Sequence, residues 1–198
     1  MAPGALGMLA QMKDEPAPGA AVGGNGIHDL TPKLQLLRLD HAPALLAFEL
    51  ENRAYFAASV PDRGDDYFAA FDERHRDLLG CQADGTDFFH VLVEPDGAIV
   101  GRVNLFEVAD GSADLGYRIA ERAAGRGLAT AAVRQVCALA VADYGLTELR
   151  AAARVDNVAS RTVLTRTGFV PVGETELSDQ PGITYRLKLT QPQTQPRA

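Results

Sequence analysis

The chain has 198 residues, of which 46% are hydrophobic, and it carries a formal net charge of -7 at pH 7. That length and composition favour one domain with a single core. The acidic balance argues against a nucleic-acid-binding surface, because phosphate binding needs an excess of clustered Lys and Arg. An acidic protein suits a cationic partner such as an amine, although its charge is equally explained by solubility.

Cysteine usage and hydropathy exclude two further classes of protein. Cys81 and Cys137 are far apart and lack the spacing of metal ligands, so neither a disulfide framework nor a metal site is predicted. No apolar run approaches the roughly 18 residues of a transmembrane helix, and the N-terminus lacks the pattern of a signal peptide. We therefore expect a cytoplasmic protein without a membrane or nucleic-acid partner.

The chain-order pattern predicts one domain over residues 34–189, between two flexible tails. Residues 1–33 are rich in glycine, proline and alanine without periodicity, and residues 190–198 repeat Gln and Pro. Apolar runs bounded by turn residues predict seven strands. They cover 34–39, 87–93, 98–108, 114–120, 148–155, 169–177 and 184–189. Apolar residues at helical spacing predict four helices, at 42–56, 65–79, 128–144 and 157–167. Hairpins followed by alternating strands and helices favour a mixed α+β fold.

The junction between the fourth strand and the third helix reads RAAGRGLA, from Arg122 to Ala129. Glycine costs a helix about 1 kcal/mol relative to alanine, so two glycines at a helix entrance need a reason. A helix N-terminus presents unpaired N–H groups and partial positive charge, and glycine lets a phosphate approach them closely. Arg122 and Arg126 add charge. The junction therefore predicts a pyrophosphate site, with a plain turn as the alternative; it lacks the GKS or GKT of nucleotide-hydrolysing loops.

Four segments of the chain resemble one superfamily. Arg122, Gly125 and Gly127 match the Arg/Gln-x-x-Gly-x-Gly/Ala signature of the GNAT N-acetyltransferases. Residues 154–173, RVDNVASRTVLTRTGFVPVG, are similar to the Asn-x-x-Ser … Gly-Phe element of the Rim-type ribosomal-protein alanine N-acetyltransferases. Residues 51–61, ENRAYFAASVP, resemble another segment of that branch, and LGYRIA resembles its fourth strand. The resemblance covers 34–189 and implies a GNAT fold, with a seven-stranded mixed sheet whose strands 4 and 5 splay apart.

The resemblance also implies that acetyl-CoA binds in the splayed cleft and passes its acetyl group directly to an amine. The pyrophosphate is expected on the N–H groups of the glycine-rich junction, and the pantetheine arm along the edge of the fourth strand. The residues expected to bind acetyl-CoA are Arg118, Ile119, Ala120, Arg122, Gly125, Arg126, Gly127, Leu128, Ala129, Thr130, Asn157, Ser160 and Arg161. Arg166 is a further candidate for the adenosine phosphate.

Aminolysis of a thioester needs a neutral amine and a stabilised leaving thiolate. By resemblance, Asp114 is the candidate general base, with Glu107 as its competitor. Leu164 stands where many GNAT enzymes carry a tyrosine that acts as the general acid. Ser160 is therefore the candidate to stabilise the thiolate. Asn157 is expected to contact the pantetheine, to cap the helix, or both.

The acceptor side is expected to include Asn52, Arg53 and Tyr55, because their segment lines that side in relatives. The leading hypothesis is an acetyl-CoA-dependent N-acetyltransferase that acts on a protein or peptide N-terminal α-amine. A small amine, such as a polyamine, amino acid or antibiotic, is the second acceptor class. A non-catalytic acyl-CoA-binding module is the third hypothesis, and the sequence leaves monomer and homodimer open.

Overall fold

A seven-stranded mixed sheet forms the centre of the computed structural model, which describes residues 31–190. The strands are β1 (Lys33–Leu36), β2 (Phe88–Val93), β3 (Ile99–Ala109), β4 (Ser112–Ile119), β5 (Glu148–Arg154), β6 (Val170–Leu177) and β7 (Gln180–Lys188). Their order across the sheet is β1-β2-β3-β4-β5-β7-β6. All seven strands predicted from the sequence are confirmed. Of the tails predicted at 1–33 and 190–198, residues 1–30 and 191–198 lie outside the described residues, and Lys33 belongs to β1.

The sheet opens between its fourth and fifth strands. Every neighbouring pair is antiparallel except β4 and β5, which run parallel. These two strands pair only at their beginnings, where residues 112–114 face residues 148–150. Beyond that point β4 continues to Ile119 and β5 to Arg154 without pairing to each other. The predicted splay is therefore confirmed.

Six α-helices cover the sheet, two more than predicted. They are α1 (Ala42–Glu51), α2 (Arg53–Ala57), α3 (Asp65–Ala69), α4 (Phe71–Asp84), α5 (Leu128–Ala142) and α6 (Val158–Arg166). The predicted helix over 42–56 breaks at Asn52, and the one over 65–79 breaks at Ala70. The second of these also runs further than predicted, to Asp84, and the left-handed φ of 73° at Gly85 ends it.

The two faces of the sheet bury different partners. Side chains of a strand alternate between faces, so Arg118 and Tyr117 of β4 point in opposite directions. Arg118 meets Glu49 of α1, whereas Tyr117 meets Ser160 of α6. We call the first the α1 face and the second the α6 face. No helix among residues 31–190 is long and apolar enough to cross a membrane.

Candidate active site

A row of unpaired backbone N–H groups lies where the glycine-rich junction enters α5. Gly125 and Gly127 have φ angles of +70° and +76°, which side-chain-bearing residues rarely adopt. The first bond into the helix runs from the Ala131 N–H to the Gly127 carbonyl. The N–H groups of residues 125–130 donate to no acceptor within the described part of the chain. An anion site needs unpaired N–H groups at the helix entrance, and this junction has them. They include those of Leu128, Ala129 and Thr130.

The space in front of these N–H groups is open. A Cβ built on Gly125 or Gly127 would meet no heavy atom within 4 Å. The glycines are therefore required by their backbone conformation and not by crowding from this chain. An added side chain would occupy the volume that an approaching phosphate needs.

The arginines predicted around this site differ in how far they are engaged. The Arg122 guanidinium donates to the Glu94 carboxylate at 2.6 Å, and this bond raises the pKa of Arg122. Arg161 donates to the Val155 carbonyl at 2.9 Å, which holds the turn between β5 and α6. Arg126 is exposed and forms no ion pair or hydrogen bond with any residue that the structure describes. Of these three side chains, Arg126 is the one left open to a phosphate.

The edge of β4 that faces the gap offers two residues for pairing. The Ala120 N–H donates to the Val100 carbonyl, so backbone groups at this position point toward β3. Backbone N–H and C=O groups alternate in direction along an antiparallel strand. Those of Arg118 therefore also point toward β3, and those of Tyr117 and Ile119 point toward the gap. Of the three residues expected to pair with the pantetheine arm, Arg118 and Ala120 thus direct their backbone groups toward β3. Of those three, Ile119 presents its backbone to the gap.

A buried pair of hydroxyls joins β4 to α6, the helix that follows β5. Ser160 is fully buried, and Tyr117 is 3% exposed. The Tyr117 hydroxyl donates to the Ser160 carbonyl at 3.2 Å and lies 3.3 Å from Ser160 Oγ. Burial raises the pKa of Tyr117 above its ordinary value of 10. The Ser160 hydroxyl proposed from the sequence therefore belongs to a pair, and the sequence did not single out its partner.

Asn157 has the capping position expected of it. Its Oδ1 accepts a hydrogen bond from the Ser160 N–H at 3.0 Å, at the start of α6. This bond satisfies one of the unpaired N–H groups of the helix and fixes where Ser160 stands. A contact between Asn157 and the pantetheine stays a prediction.

The two candidate bases occupy different positions relative to the gap. Asp114 is the last β4 residue that pairs with β5, and its carboxylate accepts a hydrogen bond from Arg150 Nε at 2.8 Å. Alternation places Asp114 on the α1 face, the face opposite Tyr117. Glu107 is exposed at the irregular end of β3, with φ of 51°, and its N–H donates to Asp87. The base assignment remains a prediction, and Asp114 is the candidate beside the opening of the strands.

The three residues expected to line the acceptor side all have partners within the fold. Asn52 is buried; its Nδ2 donates to the Phe48 carbonyl and its Oδ1 accepts from the Glu121 N–H. It therefore ties α1 to the segment after β4, and both ends of its amide are engaged. Arg53 donates to the carboxylates of Asp62 and Asp65 at 2.5 and 2.7 Å. Tyr55 is half-buried and packs beside the Phe56 ring.

A buried ion cluster on the α1 face was missed from the sequence. Glu49 of α1 accepts from Arg102 of β3 at 2.6 Å and from Arg118 of β4 at 2.9 Å. All three are buried, and the Arg63 guanidinium lies 4.0 Å from the same carboxylate. Despite burial, which favours the neutral acid, the arginines lower the pKa of Glu49 to about 2. Burial, opposed by Glu49, lowers the pKa of Arg118 to about 10.

The signal for this cluster was present in the sequence. Arg102, Arg118 and Glu49 each interrupt a segment that is otherwise apolar and predicted to be buried. A charged residue in such a position is rarely fully buried unless it is paired. The partners lie 53 and 69 positions apart, so their identity could not be read from local spacing.

Comparison with known proteins agrees with this architecture. Residues 33–170 match the family model described as Acetyltransferase (GNAT) domain. Probable N-acetyltransferase YjcK of Bacillus subtilis (strain 168) is 29% identical over 139 residues, which cover 67% of this chain and 77% of that protein.

Two solved structures show the same fold. The ribosomal-protein-S5-alanine acetyltransferase from Vibrio fischeri has a TM-score of 0.75 and 21% identity, covering 79% of this chain and 92% of that one. The spermidine N-acetyltransferase from Vibrio cholerae in complex with CoA and spermine has a TM-score of 0.66 and 16% identity, covering 80% and 96%. These two proteins act on different amines, so the shared fold leaves the acceptor open.

Proposed function

Because the chain belongs to the GNAT acetyltransferases and is therefore an acetyl-CoA-dependent N-acetyltransferase, we propose that its acceptor is the N-terminal α-amine of a protein or peptide. The Rim-type motifs in the sequence and the likeness to a ribosomal-protein alanine acetyltransferase support this choice of acceptor. The likeness to a spermidine acetyltransferase supports the alternative, a polyamine. The charges on the α1 face favour the first.

The observation that carries the proposal is the neutralisation of the carboxylates near Arg118 on the α1 face of β4. A polyamine needs unpaired carboxylates in its site, since each of its ammonium groups must be compensated. Glu49 is bonded to two arginines, and Asp62 and Asp65 are both bonded to Arg53. A small cavity here is lined by two of these acids, Glu49 and Asp62, and by three arginines. The arginines are Arg53, Arg63 and Arg118. Such a lining repels a polycation and tolerates an acceptor with a single amine.

Acetyl-CoA supplies an acetyl group activated as a thioester. We assign its pyrophosphate to the unpaired N–H groups of residues 125–130, with Arg126 as the adjacent cation. We assign its peptide-like arm to the backbone of Tyr117 and Ile119, which faces the gap between β4 and β5.

The proton transfers are assigned to opposite faces of β4. An α-amine has an ordinary pKa near 8, so a base is needed to supply its neutral form at neutral pH. Asp114, on the α1 face, is our candidate for that base, and its bond to Arg150 fixes its orientation. Ser160, on the α6 face, is our candidate donor to the leaving sulfur, with Tyr117 as its hydrogen-bond partner.

A thiol-release assay with acetyl-CoA tests the acceptor class. We expect peptides with a free N-terminal alanine or serine to give kcat/KM at least tenfold above that of spermidine, spermine or free amino acids. The matched control is the same peptide, acetylated at its N-terminus and carrying an internal lysine, which should release no thiol. Faster turnover of a polyamine would overturn the proposal. Bound acetyl-CoA that survives every amine would instead identify a non-catalytic binding module.

A further inference from the structure

A second cavity on the α1 face has an unusual excess of arginine. It has a volume of about 170 Å³ and lies between α3, α4 and β3. Its lining includes three arginines, Arg63, Arg74 and Arg102, together with the ring of Tyr67. We call it the arginine cavity. Asp77, which is exposed, is the one acidic residue among the lining residues that the structure describes.

The three guanidinium groups of the arginine cavity are only partly compensated. Arg102 is buried, gives one N–H to Glu49 and interacts with the side chain of Tyr67, but its Nε is buried without a hydrogen-bond partner among residues 31–190. The guanidinium groups of Arg63 and Arg74 lie 4.4 and 5.4 Å from the centroid of the Tyr67 ring. Neither of these two arginines donates a hydrogen bond to a described residue.

Glu49 has a single negative charge to share among three arginines. It is bonded to Arg102 and Arg118, and Arg63 lies 4.0 Å away. Arg102 and Arg118 also face each other in register on neighbouring strands, where like charges are unfavourable. The cluster therefore keeps a net positive charge in a protein whose overall charge is -7. A buried, uncompensated cation is costly, and an oxyanion ligand would relieve that cost.

The arginine cavity adjoins the small cavity that contains Arg118 of β4. Arg63 lines both this cavity and the small one that contains Arg118. Arg102 lies one strand away from Arg118, a distance of about 4.8 Å between strand axes. An extended peptide advances about 3.5 Å per residue. A peptide whose α-amine reaches β4 can therefore place the side chain of its second or third residue in the arginine cavity.

We propose that the arginine cavity binds a carboxylate of the acceptor, from an aspartate or glutamate at its second or third residue. This inference rests on the proposed peptide acceptor. A carboxylate matches the fork of an arginine guanidinium, which gives two parallel hydrogen bonds. A cavity of about 170 Å³ has room for one acidic side chain. The specificity of the enzyme is thus for acidic N-terminal sequences.

Two peptides that differ only in charge test this specificity. We expect Ala-Glu-Glu-Ala-Gly-Tyr to have a kcat/KM about tenfold above that of Ala-Gln-Gln-Ala-Gly-Tyr, the size expected for hydrogen bonds to a charged group. Replacing Arg63 or Arg74 with methionine, as R63M or R74M, should reduce that ratio below twofold. Both arginines are at least partly exposed, so these variants are expected to fold. The matched control is R76M, at an exposed arginine of α4 outside the arginine cavity, which should keep the tenfold ratio.

A binding measurement separates failure of this inference from failure of the proposed function. The probe is the Nα-acetylated Glu-Glu peptide, which has no amine to react, measured by calorimetry against its Gln-Gln counterpart. Equal turnover of both free peptides would overturn the inference and leave the peptide acceptor intact. Binding of the blocked acidic peptide that is lost in R63M, without turnover of any peptide, would support the cavity and overturn the proposed acceptor.

Discussion

Removal of the Glu49 carboxylate should destabilise the fold by a calculable amount. In Glu49→Gln the shape is preserved, but Arg102 and Arg118 lose the anion that lies between them. Both arginines are buried and in register on adjacent strands, so the repulsion between them is unshielded by water. Breaking a buried ion pair by removing one partner costs about 3–5 kcal/mol.

The pKa of Glu49 gives an independent value for this cost. The fold lowers it from 4.5 to about 2. At about 1.4 kcal/mol for each tenfold change in the equilibrium, the charged carboxylate contributes on the order of 3 kcal/mol. Because the pKa is lowered, this contribution is complete above pH 4.5 and is lost as the pH falls toward 2. The difference in unfolding free energy between the parent and Glu49→Gln should likewise be largest above pH 4.5 and shrink as the pH falls toward 2.

Urea unfolding monitored by far-UV circular dichroism measures this difference, and the method suits a chain without tryptophan. We expect Glu49→Gln to lose about 3 kcal/mol of unfolding free energy at pH 7 and less at pH 3. The control is Glu51→Gln, two positions along the same helix and exposed, which should stay within about 0.5 kcal/mol of the parent. A loss below about 1 kcal/mol, or one independent of pH, would refute the reasoning.

Three further predictions concern the cofactor site, the hydroxyl pair and a buried histidine. Gly127→Val should abolish acetyl-CoA binding in calorimetry, whereas Gly85→Val, at a glycine of similar positive φ, should cost similar stability and leave the affinity unchanged; equal affinities would exclude the junction as the pyrophosphate site. Ser160→Ala should lower kcat about ten- to a hundredfold with little change in acetyl-CoA affinity, and Tyr117→Phe should lower it less; parental turnover in Ser160→Ala would remove the hydroxyl from the mechanism. Burial lowers the pKa of His90 from 6.5 to about 4, so the parent should lose on the order of 2–3 kcal/mol between pH 7 and pH 4.5 as protonation opposes folding. His90→Gln should flatten that dependence in urea unfolding, and an unchanged slope would assign it to another group.

Local pattern determined the elements of this fold and the glycine-rich junction before α5. A strand is indicated by apolar and polar residues that alternate, or by a short apolar run, and a turn by Gly or Pro. All seven strands could therefore be predicted from short windows of sequence. The positive φ angles of Gly125 and Gly127 are also local, since only glycine enters that region readily. The two additional helices escaped prediction because the breaks at Asn52 and Ala70 fall within continuous apolar periodicity.

Only the tertiary structure decided which side chains act together. Tyr117 meets Ser160 across 43 positions, and Glu49 meets Arg118 across 69, because the sheet order brings β4 between α1 and α6. Spacing in the sequence carries no information on such pairs, since loop lengths and strand order set the distance between them. The same reason explains Asn52, whose amide appeared available to an acceptor but is engaged by a backbone N–H 69 residues away. The sequence thus specified the elements and the glycine-rich turn before α5, while packing on the two faces of β4 decided which charged side chains are paired.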